Sequence, residues 1–153
     1  MSIKVQTENH LQLYDYFCGQ WEISRKIDDL LKKQQGHMQG IVTFHSLSEK
    51  FLHYEEKGEM ILGGQRFDVF RHYAYEFFEE FLDVHFIRHL EQRQFDPFCR
   101  LIFNNEGMAE THHPCRKDMY QGSFKLVSPA EFQTTWMVSG PEKQTQISTM
   151  FYR

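Results

Sequence analysis

Trp21-Glu22-Ile23-Ser24-Arg25-Lys26-Ile27-Asp28 places Trp21, Ile23, Arg25 and Ile27 on one face and Glu22, Ser24, Lys26 and Asp28 on the other. A period of two is that of a β-strand with one face in water, and the second set is plainly that face. Arg25 therefore stands on the apolar phase. Outward from this stretch the alternation recurs to the last residue, and reads as ten strands at about 20-28, 38-46, 50-62, 65-78, 80-88, 98-103, 107-113, 118-127, 130-139 and 144-152. Turn chemistry separates them at Gln35-Gly36, Gly63-Gly64, Asn104-Asn105-Glu106-Gly107, Ser128-Pro129 and Gly140-Pro141.

Such short connections imply antiparallel neighbours. Ten strands in an open sheet would leave two long edges, which closure removes. The expected fold is all-β: a single antiparallel up-and-down β-barrel of about ten strands, one domain over 1-153. A barrel of this size is either just filled by its own side chains or able to hold one small ligand. The least regular stretch, His89 to Pro97, reads as a longer loop at one mouth. One helical segment is expected from Asn9 to Phe17, where Asn9 caps, Leu11, Tyr14, Phe17 and Cys18 share a face, and Gly19 ends it. Residues 1-18 would then lid one end of a barrel formed by 19-153.

The composition narrows the function classes. Seventeen Lys and Arg against 21 Asp and Glu give a net charge of -4 with no basic cluster, so nucleic acid is not an expected partner. No apolar run approaches the roughly 20 residues of a spanning helix, and Met1 to Glu8 lacks the pattern of a secretory signal, which points to a cytoplasmic protein with no membrane partner. Cys18, Cys99 and Cys115 are irregularly spaced and odd in number, so reduced thiols are expected. Aromatic residues, at 16%, are the surplus that needs a destination.

Strand phase supplies one. The third strand turns Leu52, Tyr54, Glu56 and Gly58 inward, and the fourth Phe67, Val69, Arg71, Tyr73, Tyr75 and Phe77. Later strands add Ala109, Thr111 and His113; Tyr120, Gly122, Phe124 and Leu126; Phe132, Thr134, Trp136 and Val138; and Ile147, Thr149, Phe151 and Arg153. Two Arg and a Glu among aromatic walls need a reason, because each unpaired buried charge costs several kcal/mol. In one reading Glu56 sits between Arg25 and Arg71 as an ion-pair network, with Tyr hydroxyls completing it, and simply fills the barrel. In the other, Glu56 offsets one Arg and leaves the second to bind an anionic group, while Tyr54, Tyr73, Tyr75, Tyr120 and Trp136 pack the ligand body and His113 stands at the rim.

Several series resemble a known family. Gly19-Gln20-Trp21 with a closing Arg153 is similar to the Gly-x-Trp and terminal Arg of calycins, the superfamily of lipocalins, fatty-acid-binding proteins and nitrobindins. Trp21-x-Ile23-x-Arg25-x-Ile27-Asp28, Gly40-x-Val42-x-Phe44, Leu52-x-Tyr54-x-Glu56-x-Gly58, Arg71-x-Tyr73-x-Tyr75, His113-x-Cys115-x-x-Asp118-x-Tyr120-x-Gly122-x-Phe124 and Trp136-x-Val138-x-Gly140-Pro141-x-Lys143 extend the match from Phe17 onward. Together they resemble an uncharacterised calycin-like family of unknown function found mainly in bacteria. The resemblance implies a lipocalin-like barrel and a structural role for Trp21 and Arg153 at its closed end, as a cation–π pair. Nitrobindins bind haem through a His late in the barrel, whereas this chain has none after His113; no cofactor is implied.

Other chemistry is less well supplied. His112-His113-Pro114-Cys115-Arg116-Lys117-Asp118 concentrates potential metal ligands, but alternation sends the two His to opposite faces and Pro114 breaks the ladder, so a turn stabilised by Asp118 with Cys115 packed is expected, and no metal. There is no Gly-x-Ser-x-Gly elbow and no phosphate-cradling loop. A cofactor-free decarboxylase, cyclase or isomerase would use Glu56 with a raised pKa and Tyr73 or Tyr120 as proton donor, although neighbouring Arg opposes that rise. The leading expectation is non-covalent binding of a small hydrophobic or aromatic molecule with an anionic group. A filled barrel acting as an interaction module is the third reading. Phe70, Phe78 and Phe81 fall outside the inward set and would suit an outer contact, such as a homodimer, or packing under the N-terminal helix or the 89-97 loop.

Overall fold

The computed structural model describes residues 7–153; residues 1-6 of the expected N-terminal lid lie outside them. Ten antiparallel strands follow one short helical segment: β1 Gly19–Asp29, β2 Gln34–Ser46, β3 Phe51–Leu62, β4 Gln65–Phe77, β5 Leu82–His89, β6 Gln94–Leu101, β7 Met108–Cys115, β8 Asp118–Ser128, β9 Glu131–Ser139 and β10 Gln144–Tyr152. They form one sheet in the order β6-β5-β4-β3-β2-β1-β10-β9-β8-β7. The first and last strands are thus paired, with Arg25 opposite Thr149 and Ile23 opposite Phe151. The all-β meander is as the alternation requires.

Three local boundaries differ from the expectation. The β1–β2 turn is Leu30 to Lys33, and Gln35-Gly36 lies within β2, paired with Asp28 and Ile27. Asp29 Oδ1 accepts the Lys32 amide at 3.0 Å and Lys33 adopts φ 53°, so an Asx-type contact closes this turn without glycine. The stretch from His89 to Pro97 is not a long loop: residues 90-93 turn, and β6 begins at Gln94. Its regularity was hidden by two register shifts in the β5–β6 ladder, at Val84/His85 and Ile87/His89, which break the period of two.

The third difference is where the barrel is left unlaced. Closure runs through β1 and β10, while β6 and β7 share no hydrogen-bonded ladder among the described residues. Each of these edge strands carries a proline, Pro97 and Pro114, which has no N–H to donate. Rings cross the seam instead. Phe98 of β6 stacks on Trp136 of β9 at 5.2 Å between centroids and meets His113 of β7 edge-on at 5.2 Å, while Phe86 of β5 reaches His113 at 6.0 Å.

At the opposite end the core is filled by buried side chains. A 3-10 turn, His10–Gln12, runs into α1, Leu13–Phe17, and the Asn9 side chain accepts the Leu11 amide at 2.9 Å. Leu13 and Phe17 are fully buried, with Phe17 packed against Phe44, Tyr75, Phe77 and Phe132. The segment is tied down by His10, whose amide donates to the Glu79 carbonyl at 2.8 Å and whose Nε2 accepts the Phe103 amide at 2.9 Å. Arg153 lies 3.9 Å from the Trp21 ring and donates to the carbonyls of Tyr16, Cys18 and Pro129. Trp21 in turn donates to the Phe17 carbonyl at 2.9 Å. This closes one end of the barrel and leaves the other for a cavity.

Candidate functional site

Four strands place the charged groups. β1 carries Arg25, β3 carries Tyr54 and Glu56, β4 carries Arg71, Tyr73 and Tyr75, and β10 carries Thr149. The β3–β4 register sets Glu56 opposite Arg71 and Tyr54 opposite Tyr73. Glu56 is completely buried and is held in a fork: Arg25 donates to its Oε2 at 2.9 Å and to its Oε1 at 2.7 Å, and the Tyr54 hydroxyl donates to Oε1 at 2.5 Å. Arg25 Nε donates to Thr149 Oγ1 at 2.8 Å, and its remaining terminal contact is Met38 Sδ at 3.2 Å. The pair is neutral and satisfied, the condition under which buried charges are tolerated.

Burial by itself would raise the Glu56 carboxyl. The hydrogen bonds and charge of Arg25, with smaller contributions from Tyr54 and the Arg71 charge, outweigh that and hold it below the ordinary carboxylate range. Burial pushes the hydroxyls of Tyr54 and Tyr75 well upward, and raises Tyr73 against the opposing charge of Arg71. All three stay protonated and able to donate. Arg71 forms no ion pair among the described residues, although it faces the same space. Glu56 is paired directly with Arg25, so the second guanidinium, which is exposed, is left without a direct carboxylate partner among the described residues.

Beside this group lies a cavity of about 120 Å³, lined by Arg25, Tyr54, Glu56, Arg71, Tyr73, Tyr75, Tyr120 and Trp136 together with Val84, Phe98, Cys99, Phe124, Thr134, Val138, Ile147, Thr149 and Phe151. It exceeds by far the about 10–15 Å³ that one water needs, and falls below the about 300–1,000 Å³ usual for drug-sized ligands. The ion pair does not fill the lumen. His113 is not a lining residue; it packs edge-on against Phe98 and Tyr120. The expected ligand set is otherwise assembled around one space, whereas Trp21 and Arg153 sit at the closed end.

Val84, Phe98 and Cys99 had no inward assignment from phase. Phe98 and Cys99 are adjacent, so strict alternation would send them to opposite faces; the bulge pairing Val84 with Cys99 and His85 with Pro97 leaves Phe98 unpaired and lets both line the cavity. Phe98 is also the central plate of a stack with Tyr73 at 5.9 Å, Phe86 at 4.5 Å and Trp136 at 5.2 Å. Trp136 lies flat because its partner across β8–β9 is Gly122, where a Cβ would come within 2.7 Å of the indole.

Burial pushes the Cys99 thiol up to about 12, against the lowering hydrogen bond of Thr111, while Cys115 is exposed. Iodoacetamide at about pH 8 is therefore expected to modify Cys115 and spare Cys99, since the thiolate is the nucleophile. Peptide mass spectrometry reads the outcome, and rapid modification of Cys99 would mean that the cavity wall opens freely. The seven-residue stretch with several ligand types disperses: Pro114 stays in register opposite Met119 on an edge strand, where its missing N–H costs no ladder bond, Cys115 is exposed and not packed, His112 is exposed, and Asp118 lies 3.5 Å from Lys143. Phe78 and Phe81 pack on each other as a tilted pair at 4.6 Å, under Lys50 and Arg100 respectively, while Phe70 is 56% exposed about 23 Å along β4. They do not form one patch.

Residues 17–153 match the model of a protein family. The chain belongs to DUF6314, a family of unknown function. No curated protein sequence matches this DUF6314 chain. Among solved structures it is similar to the S-type phycobiliprotein lyase CPES from Guillardia theta, with a TM-score of 0.65 at 8% identity over 97% of this chain and 98% of that one. A DUF3598 protein of unknown function from Nostoc punctiforme gives 0.58 at 8% identity; the match takes in 98% of the DUF6314 chain and 49%, about half, of that protein. EF1p2_mFAP2b, solved bound to DFHBI, gives 0.51 at 12% identity over 94% and 98%. At these identities the likeness is one of fold: this chain shares the antiparallel β-barrel architecture of those structures.

Proposed function

We propose that this protein binds a compact, planar, anionic molecule non-covalently inside the barrel, with Arg71 holding the anionic group and the Tyr73, Tyr120 and Trp136 rings packing its body. The observation that carries this reading is the asymmetry of the two arginines: Arg25 is neutralised by Glu56, and Arg71 faces the same cavity with no ion pair among the described residues. A guanidinium without a direct carboxylate partner at the edge of apolar walls favours a carboxylate-sized anion, which it grips bidentately. The cavity volume of about 120 Å³ favours a ligand of one or two rings over an extended pigment. That similar barrels include a phycobiliprotein lyase and a protein solved with DFHBI agrees with a ligand-holding lumen, but the ligand class rests on this chain's own residues.

Acid–base catalysis by Glu56 is disfavoured on the same geometry. A general acid needs a raised pKa and a proton to give, whereas this carboxyl is held ionised with both oxygens occupied.

Titration with 4-hydroxycinnamate and its neutral amide tests the proposal, because Trp136 lines the cavity and Trp21 does not. Saturable quenching by the acid and much weaker quenching by the amide is the expected result. Equal response to both, or none to either, would remove the anion site. Phe98→Ala should widen the cavity at the unlaced seam, improving affinity for two-ring carboxylates over one-ring carboxylates by about tenfold, the size of about 1.4 kcal/mol of contact. An unchanged ratio would show that Phe98 does not limit ligand size.

A further inference from the structure

A second group of polar side chains lies on the outside of the barrel. β2 and β3 set His45 opposite His53, and β3 and β4 set Glu55 opposite His72, all on the outward phase. The ligating atoms of His45, His53 and Glu55 all lie within 4.8 Å of one another. His45 Nε2 is 3.7 Å from Glu55 Oε1, and His53 Nε2 is 3.3 Å from His72 Nδ1. Zinc bonds of about 2.0–2.2 Å to N and O in a tetrahedron put ligand atoms about 3.3–3.6 Å apart, so the His45–Glu55 and His53–His72 separations are each close to a coordination edge, and side-chain rotation within the 4.8 Å group would bring the two pairs onto one ion.

The packing makes the group more than a chance meeting of surface residues. His53 is only 7% exposed, held between the rings of His45 at 5.7 Å and His72 at 5.4 Å. Glu55 is shared with Lys57, whose ammonium is 3.5 Å away on a side chain that is 68% exposed and free to swing into solvent. A neighbouring group, Glu76, Asp83 and His85, is weaker by comparison, because Arg100 already takes both oxygens of Asp83 at 2.8 and 3.1 Å. Two imidazoles and a carboxylate, with a third imidazole one hydrogen bond away, suit zinc better than magnesium or calcium, which prefer all-oxygen sets.

We propose that His45, His53 and Glu55 form a divalent transition-metal site of zinc type across β2 and β3, with His72 supplying either the fourth ligand or the hydrogen bond that orients His53. The site is separate from the cavity, on the opposite face of the same strands. Bound metal would cross-link two strands and, through His72, reach the strand that carries Arg71.

The full chain, stripped with chelator and dialysed, is titrated with Zn²⁺ by calorimetry and with Co²⁺ by visible absorption. One equivalent should bind, with Co²⁺ bands of tetrahedral intensity and no sulfur-to-metal charge transfer. His45→Ala, at a side chain 48% exposed and so safe for folding, should weaken Zn²⁺ at least tenfold, and His53→Ala at least a hundredfold. Cys115→Ser with His112→Ala should change nothing. Binding that survives both His45→Ala and His53→Ala, that depends on Cys115, or that never saturates would overturn the proposal.

Discussion

Glu56→Gln is expected to lower folding stability by about 3–5 kcal/mol, the largest single effect on this barrel. The carboxylate is fully buried and takes two hydrogen bonds from Arg25 and one from Tyr54. The amide retains the shape but removes the charge, leaving the Arg25 guanidinium uncompensated in a wall that includes Met38, Tyr54 and Phe151. Urea denaturation reads the result as a lower midpoint at unchanged slope. The paired replacement Arg25→Met with Glu56→Leu should recover most of the loss, because two apolar groups of similar volume need no compensation. If Glu56→Gln costs under about 1 kcal/mol, water reaches the pair and the interior is wetter than the packing indicates.

Arg71→Gln is expected to behave in the opposite way: stability within about 0.5 kcal/mol of the parent, and affinity for an aromatic carboxylate down about 10- to 150-fold, the 1.5–3 kcal/mol of a charge-assisted hydrogen bond. Its side chain is exposed and has no ion pair among the described residues, so removal leaves no stranded charge. The neutral amide ligand serves as the internal control and should lose little. A carboxylate that binds Arg71→Gln as tightly as the parent would place the anion elsewhere. The two variants together separate the arginine that holds the barrel from the arginine that faces the ligand.

Much of this was readable in one dimension. The alternation beginning at Trp21 placed Arg25, Glu56 and Arg71 on the inward phase, and ten strand segments with tight turns implied a meander. Phase also collected Tyr54, Tyr73, Tyr75, Tyr120 and Trp136, which line one cavity. Phe98 and Cys99 escaped because a bulge suspends the period on which the reading depends. The His45, His53 and Glu55 group escaped for another reason. Each stands on a solvent-facing phase where polar residues are unremarkable, and only the β2–β3 register makes them neighbours.

Side-chain direction is a local property, dictated by backbone pleat and therefore written along the chain. Partnership is not local. Alternation made Glu56 a buried acid with two candidate cations, but which one it would pair with depended on how β1, β3 and β4 coil around the lumen. Tertiary geometry brought Arg25 within 2.7 Å of Glu56 and left Arg71 to the cavity. The same geometry chose the β6–β7 seam as the unlaced edge and filled it with rings, a destination for part of the aromatic surplus that no count of strands could assign.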